Sequence, residues 1–547
     1  MNAPRWRGRA RRRVAPAAVL VGVWIVAAVL VDPRADVPLI DDWTYAMSVE
    51  RLLAGRGFSV ASWSSTFPPA QIFWGTLFAA VGGFSYTALR ISTLVLAALG
   101  TLAFAALLRA LGCSREHAFV GALTLAAYPV AFVLSFTFMT DVAMLTAMIA
   151  SFWALAGGLQ GVRGRVEIGL VLALVAFLVR PVAIAIPLAL LATAALHPTT
   201  PRRARTLVLA LVTLAAMAAT TLIARRYWLG VEDGEGGLAY RLERLRYLLL
   251  VSPIIYGEAF LSMLAHLGLA VLPALLATAP PARRWPWRTM LVLIVAAIAV
   301  SAVAPQAVAA LKPHATWSTQ ELGAARPLLV GDLPYGGMRR AFGLAATLVG
   351  LMAAAGLLAR VARGIGAGGA LRSPAGTCVA AFAALSLALC FALWFFYDRY
   401  YLPLVPAAIA IVLVAAPSLP KPAVRLRRAL AGTLLAALFL LDVTGTRDML
   451  DYARAVDAAL VRLVGSGVAW REVDAGYVEN GWHLYAHPEH LASGANVDRD
   501  VPHVTGAADL PYVIANAPLQ GYALRETVPL ASRWAVTDRV YVLARVP

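Results

Sequence analysis

The sequence predicts an all-α polytopic membrane protein carrying a small C-terminal α/β domain. Three observations lead there. Of 547 residues, 61% are hydrophobic and only 14% are charged, against about 25% charged in soluble domains. Apolar runs of membrane-crossing length recur between Val14 and Thr446, each near the roughly 20 residues a bilayer core requires. Arginines collect in the short segments between these runs.

Arg5, Arg7, Arg9, Arg11, Arg12 and Arg13 precede the first span, residues 14–31. Positive charge is retained on the cytoplasmic side, so residues 32–85 are expected outside. Asp32-Pro-Arg follows this span where a cleaved leader would carry small residues, which argues against a signal peptide. Within the outer segment, 43–53 reads as a short interfacial helix and 62–69 as a turn. The apolar run 71–81 is too short to cross and reads as a second surface helix.

The chain then crosses inward over 86–108 and outward over 117–135. A second outer turn ends at Asp141, which opens the next inward span. The apolar stretch 168–196 is interrupted by Arg180-Pro181. Two short helices that break at the outer face suit it, because proline ends a helix and a mid-membrane arginine is costly without a partner. Further crossings are expected at 207–224, 248–277, 290–309, 341–358, 378–396, 404–416 and 429–443, with outer loops at 225–246 and 312–340. Arg283, Arg284, Arg288, Lys421 and the other basic clusters fall at inner turns. The total is about thirteen crossings by the length rule.

After Thr446 the composition turns polar. Residues 1–446 are therefore expected to form the membrane domain, and 447–547 a soluble extracytoplasmic domain with His483, His487, His490 and His503. His487 and His490 are the closest pair, too sparse for a metal site, and no metal or cofactor is expected. Cys113, Cys378 and Cys390 sit in or near apolar spans and read as packing residues. The formal charge of +18 would suggest nucleic acid in a soluble chain, but topology accounts for it here, and no nucleic-acid partner is expected. The chain has no Walker loop, dinucleotide glycine motif or nucleophile elbow.

The candidate chemistry lies on the outer face. Asp41 and Asp42 are adjacent carboxylates beside apolar surface, where one can act as a base while the other is structural. Asp42 could equally cap the following helix. Asp141 is a second acid on the same face, and it too could be a cap. Arg180 offers a guanidinium fork suited to phosphate, or it could snorkel to the headgroups. Tyr397-Asp-Arg-Tyr-Tyr-Leu-Pro403 adds Arg399 and Tyr400 at another break between spans.

The order of these motifs carries a resemblance. Asp41-Asp-Trp-Thr-Tyr45, Gly82-Gly-Phe-Ser85 with Arg90, Phe138-Met-Thr-Asp141, Leu178-Val-Arg-Pro181 and Asp398-Arg-Tyr-Tyr-Leu-Pro403 follow in turn. Together they resemble the GT-C fold glycosyltransferases that use polyprenyl-phosphate sugars, the protein O-mannosyltransferase and lipid A aminoarabinose transferase superfamily. The resemblance implies a GT-C membrane domain in the cell inner or plasma membrane, with the N-terminus cytoplasmic. It implies a polyprenyl-phosphate-linked sugar as donor, membrane lipids around it, and a lipid, glycan or protein acceptor. It implies inversion at the sugar carbon, with Asp41 as the base. The family more often has Asp-Glu where this chain has Asp41-Asp42, so either could act. Asp141 matches a second acidic position, and Arg180, Arg399 and Tyr400 match the region assigned to the lipid phosphate. A flippase, or a lipid-linked polymerase or ligase, would use a similar scaffold. The absence of a two-fold repeat and the outer position of the acids weigh against the flippase.

Overall fold

Hydrophobic runs become helices because, in a bilayer, a helix satisfies every backbone group within its own segment. The computed structural model describes residues 6–61, 64, 66–228, 243, 245–247, 250, 253–278, 329–331, 337–366, 369–392, 397–417, 421–495, 501, 510–531 and 537–546. Helix α1 (Trp6–Val31) leads through an irregular segment into α2 (Asp42–Leu53) and α3 (Pro69–Gly82). Then come α4 (Tyr86–Ala110), α5 (Arg115–Ala126), α6 (Pro129–Leu134) and α7 (Thr140–Leu159). After α8 (Arg165–Phe177), α9 (Ala185–Leu196) and α10 (Arg203–Tyr227) follow α11 (Pro253–Thr278), α12 (Gly337–Ile365), α13 (Pro374–Phe391) and α14 (Leu404–Val414).

Seven of the described helices are long and apolar enough to cross a membrane, and three shorter apolar ones accompany them. The chain is a mostly helical, multi-pass membrane protein. Helix α7 lies at its centre, with 78% of its apolar window buried, whereas α10 has only 17% buried. An apolar helix that the protein itself leaves uncovered is one that lipid covers.

Sequence reading expected about thirteen crossings. The seven are the longer helices among the described residues, and two runs are broken into shorter ones. Tyr128, before Pro129, has φ −82° and ψ 117°, and Arg180, before Pro181, has φ −146° and ψ 133°. Proline pushes its predecessor out of the helical region. The expected break at Arg180-Pro181 is therefore present, and a second break splits what read as one span over 117–135. The expected span at 290–309, Arg283, Arg284, Arg288, His503 and most of the loops at 225–246 and 312–340 lie outside the described residues.

The last expected span also differs. Helix α15 (Lys421–Gly465) runs for 45 residues, about 67 Å at 1.5 Å per residue. It passes straight through Thr446, so the change in composition marks no break in the chain. Beyond the membrane-length part, Tyr452, Val456, Ala459 and Leu463 form one buried stripe, the spacing of a single helix face.

Against that stripe packs a four-stranded sheet in the order β1-β2-β4-β3. Strands β1 (Val473–Asp474) and β2 (Tyr512–Ala515) are parallel, and β3 (Tyr522–Pro529) and β4 (Arg539–Arg545) complete it antiparallel. Val330, from the segment between α11 and α12, bridges to Ala515 at the end of β2. The amide of Asn516 donates to the Val330 carbonyl at 2.8 Å. Between β1 and β2 lie the short helix α16 (Gly476–Asn480) and a wider π-turn (Gly481–Ala486).

This C-terminal unit docks on α2. Trp43 and Met47 share a cluster with Leu484, Tyr485 and Ala486. One turn further along the same face, Glu50 stands 3.7 Å from His487. A Cβ on Gly481 would lie 2.3 Å from the Trp43 ring, so only glycine admits the indole there. Trp43→Ala should lower stability by about 3–5 kcal/mol, the usual cost of emptying a buried aromatic site. Thermal unfolding in detergent and limited proteolysis of the C-terminal unit would register the loss. An unchanged midpoint would show that the docking contributes little.

Candidate active site

The segment between α1 and α2 ends in a tight turn. The Asp42 amide donates to the Leu39 carbonyl at 3.0 Å, and the Leu39 amide donates to Asp42 Oδ1 at 2.7 Å. Ile40 and Asp41 are left at the tip. Ile40 has φ +57°, a left-handed conformation that a β-branched residue adopts only at a cost of about 1–3 kcal/mol. The reciprocal bonds around it hold it there. The outcome is that Asp41 projects while Asp42 turns inward.

Asp42 is 0% exposed. Its second oxygen accepts from the Phe138 amide at 3.2 Å, and Gln71 donates to the Phe138 carbonyl at 2.6 Å. The peptide three residues before Asp141 is thus gripped from both sides, which fixes the Asp41 turn relative to the start of α7. Burial pushes the Asp42 carboxyl up to about 7, against the pull of Arg90 and its two amide donors. Arg90, also fully buried, donates to the Pro33 carbonyl at 3.3 Å and to the carbonyls of Ala35 and Val37.

Asp41 keeps 32% of its side chain exposed and accepts from Arg399 Nη2 at 3.0 Å. The Arg399 guanidinium is 11% exposed. Burial disfavours its charge, but Asp141 and Asp41 beside it outweigh that and raise its pKa. Asp141, wholly buried, is paired with Arg180, which is 14% exposed. The Tyr400 ring lies between the two cations, 5.7 Å from the Arg180 guanidinium and 5.8 Å from that of Arg399, within the range of cation–π attraction. Asp41, Asp141, Arg180, Arg399 and Tyr400 therefore form one cluster, assembled from the turn before α2 and three chain breaks. Two carboxylates balance two guanidiniums. Such a site can take a proton at Asp41 and stabilise a phosphate at the arginines.

The alternative readings of these residues fare differently. Asp41, not Asp42, holds the cap position of α2, and its side chain makes no cap bond. Asp42 spends both oxygens on amides outside that helix. Asp141 lies in the first turn of α7, with Met139 at the cap, and its partner is a guanidinium rather than the helix end. Arg180 points to Asp141 rather than snorkelling outward. All three cysteines are buried and free, and the Cys390 thiol donates to the Tyr400 carbonyl at 3.2 Å.

Three contributors were given no role from sequence, though Arg90 belongs to one of the ordered motifs. Arg90 had a signal, since an arginine inside an apolar run demands partners. Gln71 had none beyond its polarity. Tyr477, from the C-terminal unit, lies against Asp41 and Trp43, and nothing in the linear order links it to them.

Residues 67–228 match the family model described as dolichyl-phosphate-mannose-protein mannosyltransferase. That agrees with the resemblance drawn from the motifs; the matched segment contains Asp141 and Arg180. Among solved structures, the chain is similar to the oligosaccharyltransferase of Archaeoglobus fulgidus tethered with an acceptor peptide. The identity is 13% and the TM-score 0.44, covering 89% of this chain and 60% of that one. It is also similar to ArnT from Cupriavidus metallidurans bound to undecaprenyl phosphate. There the identity is 16% and the TM-score 0.43, over 97% of this chain and 98% of that one. The chain thus spans about three fifths of the archaeal protein's length. No curated protein matches it.

Two outcomes follow for Asp42. Asparagine there offers one acceptor to two amides, so Asp42→Asn should cost about 1–3 kcal/mol, the penalty of a buried unsatisfied donor. The second concerns pH. A carboxyl raised in the folded state stabilises the protein fully below its unfolded pKa, near 3.8, and loses that contribution as pH rises through about 7. The thermal midpoint of the wild type should carry this downward slope, and Asp42→Asn should flatten it. Equal slopes in the two proteins would show that Asp42 does not titrate there.

Proposed function

We propose that this chain is a membrane glycosyltransferase that moves a sugar from a polyprenyl-phosphate donor to an acceptor hydroxyl on the extracytoplasmic face. The observation that carries this reading is the pairing of a partly exposed carboxylate, Asp41, with the buried Arg399 at 3.0 Å, beside the Asp141–Arg180 pair. The sequence match over residues 67–228 supports the reaction class. The basic N-terminal segment and the arginine-rich turns support a cytoplasmic N-terminus and an outer site.

Asp41 is the base and Arg399 its switch. Without donor, Arg399 neutralises Asp41. A lipid phosphate entering beside Arg399 and Arg180 competes for those donors, and Asp41 is released to accept a hydrogen bond from the acceptor hydroxyl. The hydroxyl oxygen attacks the anomeric carbon opposite the phosphate, and its proton passes to Asp41. The bond from carbon to the phosphate oxygen breaks with its electron pair on that oxygen, giving inversion. Phosphate leaves as an anion, so no general acid is needed. Arg399 and Arg180 stabilise the charge it gains. Asp141 holds Arg180, and Tyr400 lines the face between the two cations. In this reading Asp42 is not the base, since both its oxygens accept from backbone amides.

Purified protein reconstituted in lipid and offered a panel of polyprenyl-phosphate sugars tests this. Asp41→Asn should lower transfer by about 10²–10⁴-fold, the usual weight of a general base, with the thermal midpoint kept. Asp42→Asn should retain most turnover per folded molecule. Arg399→Lys should keep charge yet lose turnover, because an ammonium cannot reproduce the guanidinium fork. Movement of a lipid-linked sugar between leaflets, with no transfer from any donor, would overturn the enzyme reading.

A further inference from the structure

Where the outer end of α15 meets the C-terminal unit, three side chains converge. They are Asp457 from α15, Glu479 from α16 and His483 from the π-turn, and their ligating atoms all lie within 4.8 Å of one another. Glu479 is 2% exposed, and its Oε2 accepts no hydrogen bond. His483 Nε2 stands 3.3 Å from that oxygen and also makes no hydrogen bond. Among the described residues, no arginine or lysine forms an ion pair with Asp457 or Glu479. Asp36 adds a further negative charge acting on Asp457. A buried carboxylate with an unused oxygen, a second carboxylate and an imidazole nitrogen are facing groups that a cation would satisfy together.

We propose that Asp457, Glu479 and His483 bind one divalent transition-metal cation of the zinc type. The donor set decides the class. An imidazole nitrogen favours zinc and its neighbours over magnesium or calcium, which prefer oxygen alone. Ligands about 2.0–2.2 Å from a tetrahedral ion stand about 3.4 Å apart, close to the spacing of Glu479 and His483. The π-turn and α16 set Glu479 and His483 four residues apart on one side. Trp470 stacks on the His483 ring at 4.2 Å, which fixes the ring plane as neighbouring groups do around metal-bound histidines.

Sequence spacing offered no metal site, His487 and His490 being only the closest histidine pair. In the structure, His487 engages Glu50 and Glu489, and His490 Nδ1 bonds the His483 carbonyl at 2.7 Å. The site draws on α15 and on the segment after β1, so a bound ion would pin the C-terminal unit to the helix that emerges from the membrane. Tyr477, two residues before Glu479, is the residue that reaches Asp41, so the ion would also steady that contact.

The test uses the full chain in detergent, stripped with a chelator, desalted, exposed to zinc chloride and desalted again. Elemental analysis should find about one zinc per chain in the wild type, with a raised thermal midpoint. Glu479→Gln and His483→Ala should bind at least about tenfold more weakly. Cobalt(II) added to the stripped wild type needs no variant, and it should give the intense visible absorption of a low-coordinate nitrogen and oxygen site. Failure of the wild type to retain zinc, or cobalt absorption no stronger than in water, would overturn the proposal. So would zinc that is retained equally by both variants but lost in Asp41→Asn, which would put the ion in the other cluster. None of these readouts depends on sugar transfer.

Discussion

The segment from Asp32 to Asp41 forms no helix or strand, so its backbone groups must find partners elsewhere or remain unpaid in a buried place. Arg90 and Asp42 supply them. The guanidinium takes carbonyls of Pro33, Ala35 and Val37, and the carboxylate takes the amides of Leu39 and Phe138. Removing Arg90 would leave those carbonyls unpaired, and removing Asp42 would leave two amides unpaired, each in a buried place. The pair converts a short irregular loop into a rigid mount. The placement of Asp41, of the start of α7 and of the α2 docking face all depends on it.

That mount explains how two adjacent aspartates acquire different chemistry. Asp42 is spent on structure and held away from the opening. Asp41 sits one residue earlier, at the tip of a turn strained at Ile40, with the side chains of Arg399 and Tyr477 against it. Side-chain partners can rotate away, whereas the backbone amides that hold Asp42 cannot. The second pair, Asp141 with Arg180, is more deeply buried and sets a cation near Tyr400. The cluster is balanced in charge, and the two carboxylates orient the two guanidiniums.

The C-terminal unit is part of this arrangement rather than an appendage. It rests on α2 through Trp43 and Met47, and it reaches Asp41 through Tyr477. Val330 from the segment between α11 and α12 joins its sheet. Contacts from three separate stretches of chain therefore converge on one region of the molecule.

The sequence by itself determined the membrane class, the short helices after the first span, the break at Arg180-Pro181 and the acids and arginines worth following. Those features are local: apolar length, a proline's effect on its neighbour, and charged residues set in apolar surroundings. Tertiary structure alone decided which aspartate faces outward, because a single turn separates the two, and its sense follows from amides at Leu39 and Phe138, nearly a hundred residues apart. It also decided the pairing of Asp41 with Arg399, the role of Arg90, the continuation of α15 through the change in composition at Thr446, and the meeting of Asp457 with Glu479 and His483. Each of these is a contact between distant segments, set by how helices pack rather than by any spacing along the chain.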